Sequence, residues 1–232
     1  GGNFKIWDVL VDQYPGEPHK AFKPGTAAAA NPVCMSCKSS DHILDWAYLG
    51  DPVSDVKWSR LSKVNEFVKD TNHSLNCNFC HDPHSAKPRV IRDGLIQALT
   101  RPQADTLWHK DAKGAKIEVK ELGERGFTRK IALLSRYDSK LQCAQCHVEY
   151  NCNPGTDPTT GQPIGMADQR TNHFPFKPVD EIQQHYKDLK FGDFKHAITG
   201  AMLWKGQHAD VETFYNSTHQ KEGVECSACH MP

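Results

Sequence analysis

Cys34-Met35-Ser36-Cys37-Lys38, CMSCK, is the stretch on which the reading of this chain turns. Cysteine pairs two residues apart recur as CNFCH from Cys77, CAQCH from Cys143 and CSACH from Cys226, so the spacing is closed three times by histidine and once by lysine. Eight of the nine cysteines fall into these pairs, at 34/37, 77/80, 143/146 and 226/229, and only Cys152 is left over. A disulfide framework belongs to short secreted chains, and pairs this close would mostly bridge to themselves. Zinc knuckles pair at about 15 to 20 residues' separation. The stretches here are far longer, and zinc gives no reason for histidine to follow the second cysteine. Haem c accounts for the whole pattern, because thioether bonds anchor the vinyl groups and the adjacent histidine swings its imidazole onto the iron from the same turn. On this reading His81, His147 and His230 are proximal ligands of haems held by Cys77 and Cys80, Cys143 and Cys146, and Cys226 and Cys229. Lys38 is the proximal ligand of a fourth haem on Cys34 and Cys37.

The bulk properties agree with a soluble chain built around cofactors. At 232 residues with 38% apolar content and 28 basic against 28 acidic residues, neither nucleic acid nor an anionic membrane is favoured as a partner. No run approaches the roughly 18 apolar residues of a membrane span, and the Gly1-Gly2-Asn3 start lacks the basic and apolar sections of a secretory signal. Haem attachment takes place outside the cytoplasm, so a periplasmic or extracellular location is expected, with any targeting segment removed or outside this sequence. Four macrocycles supply much of the apolar core. The expected architecture is therefore mainly α, a multihaem cytochrome c fold with short helices and long loops packed around covalently bound haems. Ile182, His185, Tyr186 and Leu189 share a helical face, as do Gln207, Val211, Phe214 and Thr218, which puts His208 on the first turn of a helix. Ile43, Leu44 and Ala47, and likewise Leu95, Ala98 and Leu99, predict brief helices after haem motifs; 116–122 alternates weakly and predicts a small hairpin; 153–177, rich in Pro, Gly and Thr, reads as a long loop.

The lysine marks one haem as different. An amine must be neutral to bind iron, and holding a lysine neutral near pH 7 against an ordinary value of about 10.4 costs roughly 4 to 5 kcal/mol. A site that bears this cost is more than a wire; the competing reading is a degenerate motif with Lys38 as a surface cation. CMSCK, CNFCH, CAQCHVEY, then Lys205-Gly206-Gln207-His208 and STHQKEGVECSACHMP, in this order and spacing, resemble the catalytic core of the multihaem cytochrome c nitrite reductases, which form ammonia. Val148-Glu149-Tyr150-Asn151-Cys152 is similar to the octahaem subgroup, in which the tyrosine ring is tied covalently to the cysteine sulfur.

The resemblance implies Lys38 below the catalytic iron and Tyr150 and His208 on its open face, where nitrite would bind through nitrogen. The histidine-ligated haems would deliver the six electrons that the conversion to ammonium takes. It implies calcium bound by the Glu149 carboxylate, the Gln207 amide oxygen and the carbonyls of Tyr150 and Lys205, oxygen ligands suited to a hard cation. It implies a Tyr150–Cys152 crosslink, His19 as distal ligand of the haem on Cys143 and Cys146, and His219 as ligand of a haem whose motif is absent. The family's distal arginine has no counterpart, since no arginine precedes Lys38; Arg89, Arg92 and Arg101 are expected at haem propionates or the surface. His42 and His73, near haem motifs, are the other candidates for distal ligands. Residues 1–232 are thus expected to form one catalytic-core haem domain, an internal part of a longer, oligomeric protein whose remaining segments carry further haems. Nitrite, and hydroxylamine or sulfite beside it, are the expected substrates, with a donor protein or quinol-linked cytochrome as partner. The alternative is a non-catalytic multihaem electron-transfer protein or filament subunit.

Overall fold

The computed structural model describes residues 32–42, 45–46, 57–67, 70–102, 105–122, 129–151 and 154–230. His19, Cys152 and the helix predicted around Ile43 to Ala47 lie outside them. The described chain is mainly helical, in short pieces: α1 Pro32–Met35, α2 Val64–Phe67, α3 Cys77–Cys80, α4 Asp93–Leu99, α5 Leu107–Lys110, α6 Ser139–Cys143, α7 Val179–Asp188, α8 Asp210–Phe214, α9 Thr218–Lys221 and α10 Cys226–His230. One- to three-turn helices are marginal in isolation, so their stability comes from packing. Caps help where the sequence supplies them: Asn76 accepts from the Asn78 N–H ahead of α3, Asp138 from Lys140 and Leu141 ahead of α6, and Ser217 from Gln220 ahead of α9.

The predicted hairpin is present and larger than expected. β2 Ile117–Leu122 pairs antiparallel with β3 Arg129–Leu134, from Ile117 opposite Leu134 to Leu122 opposite Arg129, and β1 Arg89–Val90 joins the other edge of β3. A two-stranded ribbon of β4 Phe194–Lys195 and β5 Met202–Leu203 completes the sheet content. β3 is buried along most of its length and lies beside α4, whose residues are all buried except Gln97. Close packing there needs a glycine: a Cβ on Gly94 would stand 2.6 Å from the Phe174 ring and 3.0 Å from the Asn172 carbonyl. The CAQCH turn is sewn to β1 by glutamines. The fully buried Gln145 accepts from the Ile91 N–H at 2.8 Å, and Gln142 donates to the Arg89 carbonyl at 3.2 Å. The 154–178 stretch contains neither helix nor strand, as the loop reading requires.

α7 buries Ile182 and Tyr186 and brings His185 onto His173, their rings stacked at 5.0 Å and their Nε2 atoms 2.8 Å apart. Arg101 Nη2 also stands 3.0 Å from His173 Nε2 and can only donate, so His173 Nε2 accepts and His185 Nε2–H donates. Burial first, and the Arg101 guanidinium next, push His173 well below the ordinary histidine range and His185 down to about 4. An unfolded histidine titrates near about 6.5. Between that value and the folded ones the unfolded chain binds more protons, so this pair stabilises the fold at neutral pH and its contribution is lost as pH falls from 6.5 through about 4. Urea midpoints of the haem-loaded protein should decline across that window, and His185→Gln should flatten the decline; a variant tracking the parent would disprove the linkage.

Candidate active site

The first cysteine of each motif lies in a helical turn, α1, α3, α6 and α10 respectively, and the residue after the second cysteine leaves that turn or ends it. His81 places Nδ1 3.0 Å from the Ala86 carbonyl oxygen. A carbonyl only accepts, so the proton is on Nδ1 and the lone pair on Nε2. His147 places Nδ1 2.9 Å from Asp210 Oδ2 with the same result. Both rings are exposed and in the tautomer that an iron requires, with a partner on the other nitrogen as metal-bound imidazoles have. Lys38 and His230 are exposed at the ends of their turns, the Lys38 N–H donating to the Met35 carbonyl at 2.9 Å.

Long-range packing brings attachment points together. Cys37 Sγ lies 3.8 Å from the Gln145 carbonyl and hydrogen-bonds the Cys146 thiol, while Cys143 hydrogen-bonds the Cys226 thiol. On the haem reading, these thiols would stand where thioether sulfurs do in the haem-loaded protein. The first and third motifs are neighbours, and so are the third and fourth.

Around the first motif, the buried Tyr150 ring packs 5.5 Å from Phe174 and 6.2 Å from the His208 imidazole, tilted 31° to it. His208 is close enough, with Arg92 and Lys38, to add positive potential at Cys37. Arg92, expected at a propionate or the surface, is fully enclosed: it donates to Ser36 Oγ inside CMSCK and to Asn172 Oδ1, and its guanidinium carbon stands 5.7 Å from the Tyr150 ring centre. Its Nε–H is buried with no acceptor. An orphaned cationic donor is costly to bury, and a haem propionate is the acceptor it fits. The pocket beside it, walled by Met35, Trp46, Phe67, Phe79 and Ile91, lies between the first motif and the second. Sequence reasoning missed the enclosure of Arg92, because only the fold puts CMSCK, Arg92 and Tyr150 side by side.

Glu149 is fully buried, its Oε2 accepting from the Gln207 N–H at 2.6 Å and its Oε1 from the Tyr186 hydroxyl at 3.3 Å. Its own N–H donates to Oε1 of Glu212, whose Oε2 is buried without a partner. Burial pushes Glu149 up to about 7 and Glu212 to about 8. Buried carboxylates held apart from cationic side chains call for a positive ion. Among the described residues no group of three or more histidine, cysteine or acidic side chains forms a metal cluster, whereas one carboxylate, one amide and two carbonyls would suit calcium.

One expectation needs correction. His208 does not open a helix: α8 begins at Asp210 and ends at Phe214, and Thr218 belongs to the separate α9. The Gln207 N–H is taken by Glu149, and Asn216, at φ +65°, turns the chain between the two helices. Lys205, Gln207 and His208 therefore reach the site on a segment without helix or strand. Of the other histidines, His42 is buried against Phe67 and Trp58 with Nε2 2.9 Å from Thr71 Oγ1, His73 pairs Nδ1 with Asp41 at 2.9 Å, and His219 lies exposed on α9.

The family model described as cytochrome c552 matches residues 7–232. The cytochrome c-552 of Haemophilus influenzae is 29% identical over 245 residues, covering 100% of this chain and 39% of the relative. That of Bacteroides thetaiotaomicron is 27% identical over 222 residues, covering 94% and 35%. The chain thus spans well under half the length of these curated relatives. A solved structure, the cytochrome c nitrite reductase from Desulfovibrio desulfuricans ATCC 27774, whose catalytic subunit has two calcium sites, superposes with a TM-score of 0.51 at 25% identity, over 87% of this chain and 37% of that one.

Proposed function

The chain belongs to the cytochrome c552 family, and on that premise we propose that it is the catalytic core of an ammonia-forming nitrite reductase. The observation that carries this reading is the meeting of Tyr150, His208 and the one motif that ends in lysine. The iron, when bound there, supplies a coordination position for nitrite and the path for electrons. His208 and the Tyr150 hydroxyl donate protons to the nitrite oxygens as they leave as water. Phe174 and Phe67 keep bulk water from the interior flank, and Arg92 holds the propionate edge of the macrocycle. Four haem c groups attach through this chain; His81, His147 and His230 complete three as electron carriers, with His19 and His219 as distal ligands. Calcium on Glu149, Gln207 and the carbonyls of Tyr150 and Lys205 ties the CAQCHVEY segment to the His208 segment. Supporting this is the calcium in the Desulfovibrio relative. Hydroxylamine and sulfite fit the same position, and the rest of the protein, periplasmic and oligomeric, brings further haems and the electron donor.

The deciding measurement is the ligation state of the Lys38 haem. A high-spin signal converted by nitrite, with ammonium formed under a viologen donor, is expected. A low-spin haem that nitrite leaves unchanged would reduce the protein to an electron conduit. Cys152 is what makes the chain resemble the octahaem type, and on that reading the tryptic peptide with Tyr150 and Cys152 should be lighter by the two hydrogens lost in a carbon–sulfur crosslink. An unshifted peptide mass removes the octahaem assignment.

A further inference from the structure

Two of the histidines that follow a cysteine pair, His81 and His147, are held by different partners. His81 Nδ1–H faces a neutral acceptor, the Ala86 carbonyl at 3.0 Å, supplied by the same turn five residues on. His147 Nδ1–H faces the Asp210 carboxylate at 2.9 Å, supplied by a segment 63 residues away. The pairing is reinforced through the backbone, since the Val211 N–H donates to the His147 carbonyl at 3.1 Å. Asp210 is itself fixed to the catalytic segment, its N–H donating to the His208 carbonyl at 2.6 Å. A carboxylate on the outer nitrogen makes an imidazole a stronger donor to its metal than a carbonyl does, and stronger donation favours ferric over ferrous iron.

We propose that Asp210 is a tuning residue that lowers the potential of the haem on Cys143 and Cys146 relative to that on Cys77 and Cys80, by holding its carboxylate on His147 Nδ1–H. This rests on His147 as an iron ligand. The haem beside the catalytic motif, through the Cys37–Cys146 contact, is then the more strongly reducing of the two. The residue that sets this lies two positions beyond the proton-donating His208, so one short segment governs both proton and electron delivery.

The test uses the haem-loaded protein. Asp210→Asn keeps size and an acceptor oxygen but removes the charge; it should shift one haem potential upward in a redox titration followed by electron paramagnetic resonance, leaving the others in place. Asp210→Glu should restore the parent value. A merely structural role would not move a single potential selectively. His147→Met serves as the control for ligation. If it changes one haem spectrum while Asp210→Asn shifts no potential, the inference is wrong and the ligand assignment stands. If it changes no spectrum, the assignment fails and takes the inference with it.

Discussion

His208→Ala should lower nitrite turnover by roughly 10²- to 10⁴-fold, the range over which positioned proton donors act. The reasoning is geometric. His208 is exposed on an irregular segment rather than packed in a helix, so truncation leaves no cavity in the core. Its ring lies 6.2 Å from that of Tyr150, and on the proposed reading the two would serve nitrite as its proton donors. Haem content and the potentials of the histidine-ligated haems should therefore stay at their parent values while ammonium formation collapses. Tyr150→Phe should act in the same direction, because it deletes the hydroxyl and keeps the ring against Phe174. Lys38→His should change both the spectrum of the first haem and the rate, since imidazole replaces the amine as donor to the iron. Steady-state ammonium formation with reduced viologen measures all three. Parent-level turnover in both His208→Ala and Lys38→His would remove both residues from the catalytic machinery.

Local signals in the sequence carried further than distant ones. Cysteine spacing, the apolar group Leu95, Ala98 and Leu99, and the alternation at 116–122 each report on a few adjacent residues, and α4 and β2 appear where these patterns point. The 3.6-residue face drawn through Gln207, Val211, Phe214 and Thr218 failed because a tertiary hydrogen bond from Gln207 to Glu149 and the left-handed Asn216 override the period. Arg92 could not be placed from its neighbours in the chain: its partners Ser36, Asn172 and Tyr150 are 56, 80 and 58 residues away, and no local periodicity encodes such a meeting. The same holds for Asp210 on His147 and Glu212 on Glu149. In a chain whose interior is arranged around prosthetic groups, apolar patterning specifies less of the core than usual, and buried polar groups mark where the groups belong.

Glu149→Gln should weaken calcium binding by at least roughly 10- to 100-fold and lower nitrite turnover with it. The substitution preserves volume, leaves an amide oxygen to accept from the Gln207 N–H, and sets its NH2 where it can donate to the Tyr186 hydroxyl oxygen, so the fold has little reason to fail. What it removes is the charge at the centre of a link between CAQCHVEY and the His208 segment that passes through a buried carboxylate pair. In the parent, a calcium ion would offset the burial of the Glu149 carboxylate and of the orphaned Glu212 oxygen beside it. Without that charge the segment carrying Lys205, Gln207 and His208 keeps its backbone contacts but loses the ion that fixes its distance from Tyr150. Chelation of the parent should reproduce the loss of activity, and added calcium should restore the parent but not Glu149→Gln at the same concentration. Isothermal titration alongside turnover separates binding from catalysis. A variant that binds calcium as the parent does would remove Glu149 from the ligand set, whatever its activity.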